Sequence, residues 1–109
     1  MKFQITNHIG VQVTDVEKAA TFYREIMGMH ILMQRKNEAE MICGDTVFHM
    51  EKSTGRKTFF DFKVDNLEEA KARLERAGCN LLETSCDQGK SYLVSDPFGL
   101  KFHMFQERA

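Results

Sequence analysis

Three of the four histidines in this sequence stand where residue type and spacing could support metal chemistry. His8 lies near the N-terminus, while His49 and His103 each occupy the centre of a Phe-His-Met triplet. Imidazole is the commonest ligand of divalent metals in proteins, and three imidazoles that leave coordination positions open form a catalytic type of site. The histidines therefore predict a divalent-metal site made by His8, His49 and His103.

Acidic and aromatic residues stand near these histidines along the chain. Glu51 follows His49 by two positions and is a candidate general base, with a solvated carboxylate at a strand end as the other interpretation. Asp61 is a candidate oxygen ligand or base. Together with Phe59 and Phe105 it is predicted to line a substrate pocket, and plain packing or a dimer contact is the alternative for the two phenylalanines.

An internal repeat relates two of the three histidines. The segment VTDVEKAA at 13–20 resembles VDNLEEAK at 64–71, an offset of 51 residues. The triplet Phe-His-Met at 48–50 returns at 102–104, an offset of 54 residues. Tandem copies of one supersecondary unit produce this kind of self-similarity. The repeat therefore predicts two modules in tandem.

Each predicted module has the order β-α-β-β-β. We expect a single domain over residues 1–109, with module one at 1–52 and module two at 57–107. Period-two apolar alternation and turn signals predict the strands. The predicted strands are 3–13, 30–35, 39–43 and 46–51 in module one, and 58–64, 81–86, 91–95 and 100–106 in module two.

The two predicted helices have recognisable ends. Thr14 and Glu17 have the spacing of a capping box, Asn66 is a helix cap in the second module, and Gly28 and Gly78 are stop signals. Apolar residues then recur on one face of each helix. Those of the first helix are Val16, Ala19, Ala20, Tyr23, Ile26 and Met27.

One helix for four strands can cover only one face of a sheet. Alternation along the strands assigns side chains to the two faces. The face without a helix is predicted to carry His8, His49 and His103, together with Glu51, Phe59, Asp61 and Phe105. The face under the helices is predicted to carry Ile9, Val11, Val13, Phe48, Met50, Phe60, Phe62, Val64, Phe102 and Met104.

The composition of the chain limits the classes of function that we expect. The chain has 109 residues, 42% of them hydrophobic, and a formal net charge of -1. That charge balance gives no electrostatic reason to expect nucleic acid or an anionic membrane as a partner. Three cysteines without CxxC spacing argue against a disulfide framework. With no apolar signal core at the N-terminus, we expect a cytoplasmic protein that binds a small-molecule ligand.

Two segments carry a family resemblance. NHIGVQVTDVEKAATFYREIMGM and SDPFGLKFHMFQ resemble the vicinal oxygen chelate superfamily, which includes glyoxalase I, extradiol dioxygenases, and fosfomycin and bleomycin resistance proteins. The resemblance implies an α+β fold in which two βαβββ modules form a curved, cup-shaped mixed sheet, with one helix per module outside. It also implies a homodimer.

The resemblance further implies metal ligands on the first and fourth strands of each module. These positions are His8, His49, Phe59 and His103. Glyoxalase-type members usually have an acidic residue where His49 stands, Glu is common at His103, and Phe59 cannot ligate.

The implied activity is that of a metal-dependent enzyme of lyase, isomerase or dioxygenase type. Its small oxygenated substrate would chelate Zn, Ni, Mn or Fe. Two alternatives stay open: a metal-free small-molecule binding protein of the bleomycin-resistance type, and a degenerate module that acts by dimerising.

Overall fold

The computed structural model describes residues 2–107, which form two successive βαβββ modules of an α+β fold. The predicted fold class is confirmed. The elements are β1 (Phe3–Val13), α1 (Val16–Glu25), β2 (His30–Gln34), β3 (Glu38–Cys43), β4 (Thr46–Lys52), β5 (Thr58–Val64), α2 (Leu67–Arg76), β6 (Asn80–Cys86), β7 (Gly89–Ser95) and β8 (Lys101–Gln106).

The helix starts confirm one predicted cap and correct the other. Asn66 caps α2, and its side chain accepts a hydrogen bond from the backbone N–H of Glu69 at 3.0 Å. The cap of α1 is Asp15, whose carboxylate accepts from the backbone N–H of Lys18 at 3.0 Å. The expected capping role of Thr14 is wrong, because the first helical turn begins one residue later.

The chain divides into two compact units. Residues 7–59 form what we call the continuous unit, and residues 2–6 join residues 60–107 in what we call the split unit. Strand β1 contributes to both. Neither α1 nor α2, the helices of the described chain, is long and apolar enough to cross a membrane.

The continuous unit has the strand order β2-β3-β4-β1, with β1 parallel to β4. Helix α1 packs against β2, β3 and β4. Ile26 and Met27 were expected on the apolar stripe of this helix, but both are exposed because α1 ends at Glu25. The buried core consists of Val16, Ala20, Met29, Ala39, Met41 and Met50.

The split unit has the strand order β1-β5-β8-β7-β6, with β5 parallel to β8. Helix α2 packs against β6 and β8. Phe60 was expected under this helix, but the prediction is wrong: its side chain is 42% exposed near the start of β5, whereas α2 packs against β6 and β8. Its neighbour Phe62 does join the core. The buried core consists of Val64, Leu67, Ala70, Tyr92, Val94, Phe102 and Met104.

Candidate active site

A histidine and an aspartate form a short hydrogen bond in the split unit. Asp61 on β5 and His103 on β8 are register partners in the parallel pair. The distance between Asp61 Oδ1 and His103 Nδ1 is 2.7 Å, and the two side chains are only 14% and 22% exposed. Partial burial weakens the competition from water, so this bond is of the strong, charge-assisted kind.

Thr6 completes this arrangement from β1. Its Oγ1 donates to Asp61 Oδ2 at 2.7 Å, so both oxygens of the carboxylate are engaged. Thr6 was not among the residues singled out from the sequence. Strand alternation places it on the same side of β1 as His8, and that alternation is the signal that could have found it.

The hydrogen bond with Asp61 determines which ring nitrogen of His103 is available. A carboxylate has only acceptors, so the proton of the Asp61–His103 bond resides on Nδ1 of the imidazole. In the neutral imidazole, the other ring nitrogen, Nε2, then carries the lone pair. Such a nitrogen can coordinate a metal or accept a proton from a substrate.

Phe105 lies beside this imidazole on the same strand. The ring centroids of His103 and Phe105 are 5.9 Å apart, and the rings are inclined by 22° in a stacked arrangement. Both side chains point away from Phe102 and Met104, which belong to the helix-covered core. Phe105 therefore restricts the orientation of the imidazole and gives it an apolar neighbour on the face without a helix.

The other two candidate histidines belong to the continuous unit. In the parallel pair of β1 and β4, His8 is the partner of Val47, and Gly10 is the partner of His49. Residues paired across a sheet share a face, so His8 and His49 lie on one face, two register positions apart. His8 is exposed.

The surroundings of His49 are acidic. Its Nδ1 lies 3.7 Å from Glu40 Oε2, and its Nε2 lies 3.9 Å from Glu38 Oε2. Both separations exceed hydrogen-bond length, and the His49 side chain is 35% exposed. Glu51, the candidate base, is exposed and is the cross-strand partner of Glu38. These carboxylates attract a protonated imidazole but do not orient a neutral one.

Phe59 occupies the position at which the family resemblance implies a ligand. It is 7% exposed, and a Cβ atom added at Gly10 would lie 3.8 Å from its Cβ. A buried phenyl ring offers apolar contact and no donor atom.

A metal ion is held by several ligating side chains that lie close together. Within residues 2–107, no group of three or more His, Cys, Asp or Glu side chains is arranged to hold a metal ion. His103 by itself fits a metal ligand, because metal-binding imidazoles usually donate their second N–H to a carboxylate or carbonyl. The predicted set of His8, His49 and His103 stays a prediction.

Comparison with known proteins places these features in a family context. The family model described as the Glyoxalase/Bleomycin resistance protein/Dioxygenase superfamily matches residues 5–104. The chain is 27% identical over 112 residues to the glutathione transferase FosA of Serratia marcescens, covering 93% of this chain and 79% of that protein. It is 25% identical over 116 residues to a probable trivalent organoarsenical cleaving enzyme of Bacillus subtilis strain 168, covering 94% and 80%.

A solved structure shows the same fold. The substrate complex of homoprotocatechuate 2,3-dioxygenase from Brevibacterium fuscum superposes with a TM-score of 0.73 at 19% sequence identity. The match covers 99% of this chain and 38% of the dioxygenase chain. At this identity the likeness concerns the fold alone.

Proposed function

Since this chain belongs to the Glyoxalase/Bleomycin resistance protein/Dioxygenase superfamily, we propose that it is a divalent-metal-dependent enzyme. Its substrate would be a small molecule that chelates the metal through adjacent oxygens, in a reaction of lyase, isomerase or dioxygenase type. The observation that carries the proposal is the hydrogen bond from His103 to Asp61, because it leaves Nε2 available as a ligand. The two curated relatives are both named as enzymes, which supports catalysis.

His103 is the ligand with the best structural support, and His8 and His49 are the further ligands we propose. Zn, Ni, Mn or Fe bound there would act as a Lewis acid toward a substrate oxygen. Glu51 is the proposed general base, since it follows His49 on β4 and is exposed to solvent. Phe105 and Phe59 would give the substrate apolar contacts.

Metal analysis of protein purified without an affinity tag tests this function. We expect about one divalent ion per chain, lost in His103→Gln and reduced in His8→Gln and His49→Gln. His30→Gln is the matched control, because His30 is exposed at the start of β2. A substoichiometric metal content that is the same in the wild type and in all of these variants would rule the function out.

A metal-free binding protein is the second candidate. Two observations favour it: the described residues contain no assembled group of three metal-binding side chains, and Phe59 stands at an implied ligand position. This function predicts that binding of a small aromatic probe, followed by fluorescence, survives EDTA and the His103→Gln substitution. The enzyme proposal predicts that substrate turnover is abolished by both treatments.

We also propose that the protein is a homodimer in the cytoplasm. The exposed apolar side chains of the continuous unit, Phe22, Ile26, Met27 and Leu32, are compatible with a contact between two copies. Light scattering of the purified chain distinguishes a dimer of twice 12.6 kDa from a monomer.

A further inference from the structure

We infer that Asp61 and Thr6 are positioning residues for His103. They hold its imidazole in the Nδ1–H tautomer, and they supply the negative charge that the neutral histidine lacks at a last-strand position where the family commonly has Glu. The tautomer can be tested without any metal. The role of that tautomer in metal binding rests on the proposed function.

Asp61 differs from a residue that only lines a pocket, because both oxygens of its carboxylate are hydrogen-bonded within the protein. Its Oδ1 accepts from His103 and its Oδ2 accepts from Thr6, each at 2.7 Å. Its side chain is 14% exposed, so little of it can face a substrate. A carboxylate bonded at both oxygens has a restricted orientation, and the imidazole that donates to it is restricted in turn.

The second argument concerns the charge of the proposed metal ligands. A neutral imidazole in place of a carboxylate ligand would leave the bound cation with one negative charge fewer. The Asp61 carboxylate supplies that charge from behind the ligand, because it polarises the imidazole through the Nδ1–H bond. The pair of Asp61 and His103 together can thus replace a single acidic ligand.

The repeat-related histidine, His49, has carboxylates near it but no hydrogen bond to any of them. The glutamates nearest His49 lie at 3.7 and 3.9 Å, beyond hydrogen-bond length. The register partner of His49 is Gly10, which has no side chain to accept a proton. His49 is therefore the internal control for His103.

Nuclear magnetic resonance of the metal-free protein with ¹⁵N-labelled histidine tests the inference. At about pH 9, well above the ordinary imidazole pKa of about 6.5, long-range ¹H–¹⁵N correlation separates the two neutral tautomers. The four histidines are assigned from single His→Gln variants. We expect His103 in the Nδ1–H tautomer and the exposed His30 predominantly in the Nε2–H tautomer that free histidine favours.

Removal of the side chains that position His103 should change its tautomer. Asp61→Ala should move His103 mainly to the Nε2–H tautomer, and Thr6→Val should move it part of the way. Glu40→Gln is the matched control and should leave the tautomer of His49 unchanged. A wild-type His103 in the Nε2–H tautomer would overturn the inference without the need for any variant. So would an Asp61→Ala protein that is folded and keeps the wild-type tautomer.

Zn²⁺ titration against a competing chelator then addresses the metal. Asp61→Ala should weaken Zn²⁺ binding by about 10- to 100-fold, and Asp61→Glu should recover part of the loss. If the wild type has the predicted tautomer but binds no Zn²⁺, the proposed metal-dependent function fails while the positioning of His103 stands. If Zn²⁺ binds equally well to wild type and Asp61→Ala, the role of Asp61 toward the metal is refuted.

Discussion

The two Phe-His-Met triplets have the same backbone setting and different chemistry. Each lies on the last strand of its module, and each of these strands pairs in parallel with the module's first strand. The register partner of His49 is Gly10, and that of His103 is Asp61. One imidazole is hydrogen-bonded at 2.7 Å and mostly buried, while the other is half-buried with carboxylates beyond bonding distance.

This difference separates the part of the repeated module that packs the core, which is alike in both copies, from the part whose side-chain contacts differ. Met50 and Met104 occupy equivalent places in the two cores, and both are fully buried. The adjacent histidines point to the opposite face, where the register partner on the neighbouring strand differs: Gly10 for His49 and Asp61 for His103. We therefore expect equivalent core substitutions to have similar effects in the two modules and site substitutions to have different ones.

The largest effects are expected from the paired core methionines. Met50→Ala and Met104→Ala should each lower the free energy of unfolding by about 2–5 kcal/mol, because each leaves a cavity in a packed core. Urea unfolding measures the loss. Met27→Ala is the matched control at an exposed position, with an expected change within about 0.5 kcal/mol. Similar values for all three variants would contradict the assigned cores.

The helix caps should show the next largest effects. Asp15→Ala and Asn66→Ala should each cost about 1 kcal/mol, because each removes a side-chain acceptor from a backbone N–H of the first turn. Thr14→Ala should change the free energy of unfolding by less than about 0.5 kcal/mol. A larger loss from Thr14→Ala than from Asp15→Ala would restore the capping box expected from the sequence.

A gain-of-function substitution sharpens the comparison of the histidines. Gly10→Asp places a carboxylate opposite His49, and the added Cβ meets its nearest atom at an ordinary contact of 3.8 Å. His49 should then shift toward the Nδ1–H tautomer, which the ¹H–¹⁵N spectrum reports. Gly10→Ala is the control without an acceptor. An unchanged His49 tautomer in Gly10→Asp would show that register alone does not create the pairing.

Cysteine reactivity should differ modestly between the modules. Burial, and secondarily the charge of Asp96, raises the pKa of the Cys79 thiol, which lowers its thiolate fraction near neutral pH. Cys43 is exposed at the end of β3. Iodoacetamide should therefore modify Cys79 several-fold more slowly than Cys43, as followed by peptide mass spectrometry. Faster modification of Cys79 would contradict the protection that its burial provides.

The same pKa shift has a small consequence for stability. A thiol whose folded-state pKa is raised contributes stability that is fully present below its unfolded-state pKa. That contribution is lost as the pH rises through the folded-state pKa. In Cys79→Ser, the free energy of unfolding should therefore fall less steeply as the pH rises into the alkaline range.

Much of the fold could be predicted because the signals are local. Apolar alternation and turn residues located the strands to within two residues at each end, and Asn66 was a correct cap. The errors arose where tertiary cover decides the outcome. Phe60 has the alternation of a core residue but is exposed near the start of β5, whereas α2 packs against β6 and β8. Ile26 continues a helical stripe after the helix has ended.

The residues of the candidate site could be predicted from the sequence, but the hydrogen-bonded pairs that they form could not. Alternation assigned His103, Asp61 and Phe105 to one face, and all three contribute to the arrangement seen in the split unit. Which residues oppose each other depends on the register between β5 and β8, strands separated by a helix and two further strands. No local pattern encodes that register, so the hydrogen bonds of Asp61 to His103 and Thr6 emerged only from the structure.

Anomalous diffraction from crystals soaked in Zn²⁺ tests the central claim most directly. The Asp61–His103 pair predicts a zinc peak about 2.0–2.1 Å from Nε2 of His103, with Nδ1 still hydrogen-bonded to Asp61. A zinc ion on Nδ1, or fully occupied zinc elsewhere on the protein with none at His103, would contradict it.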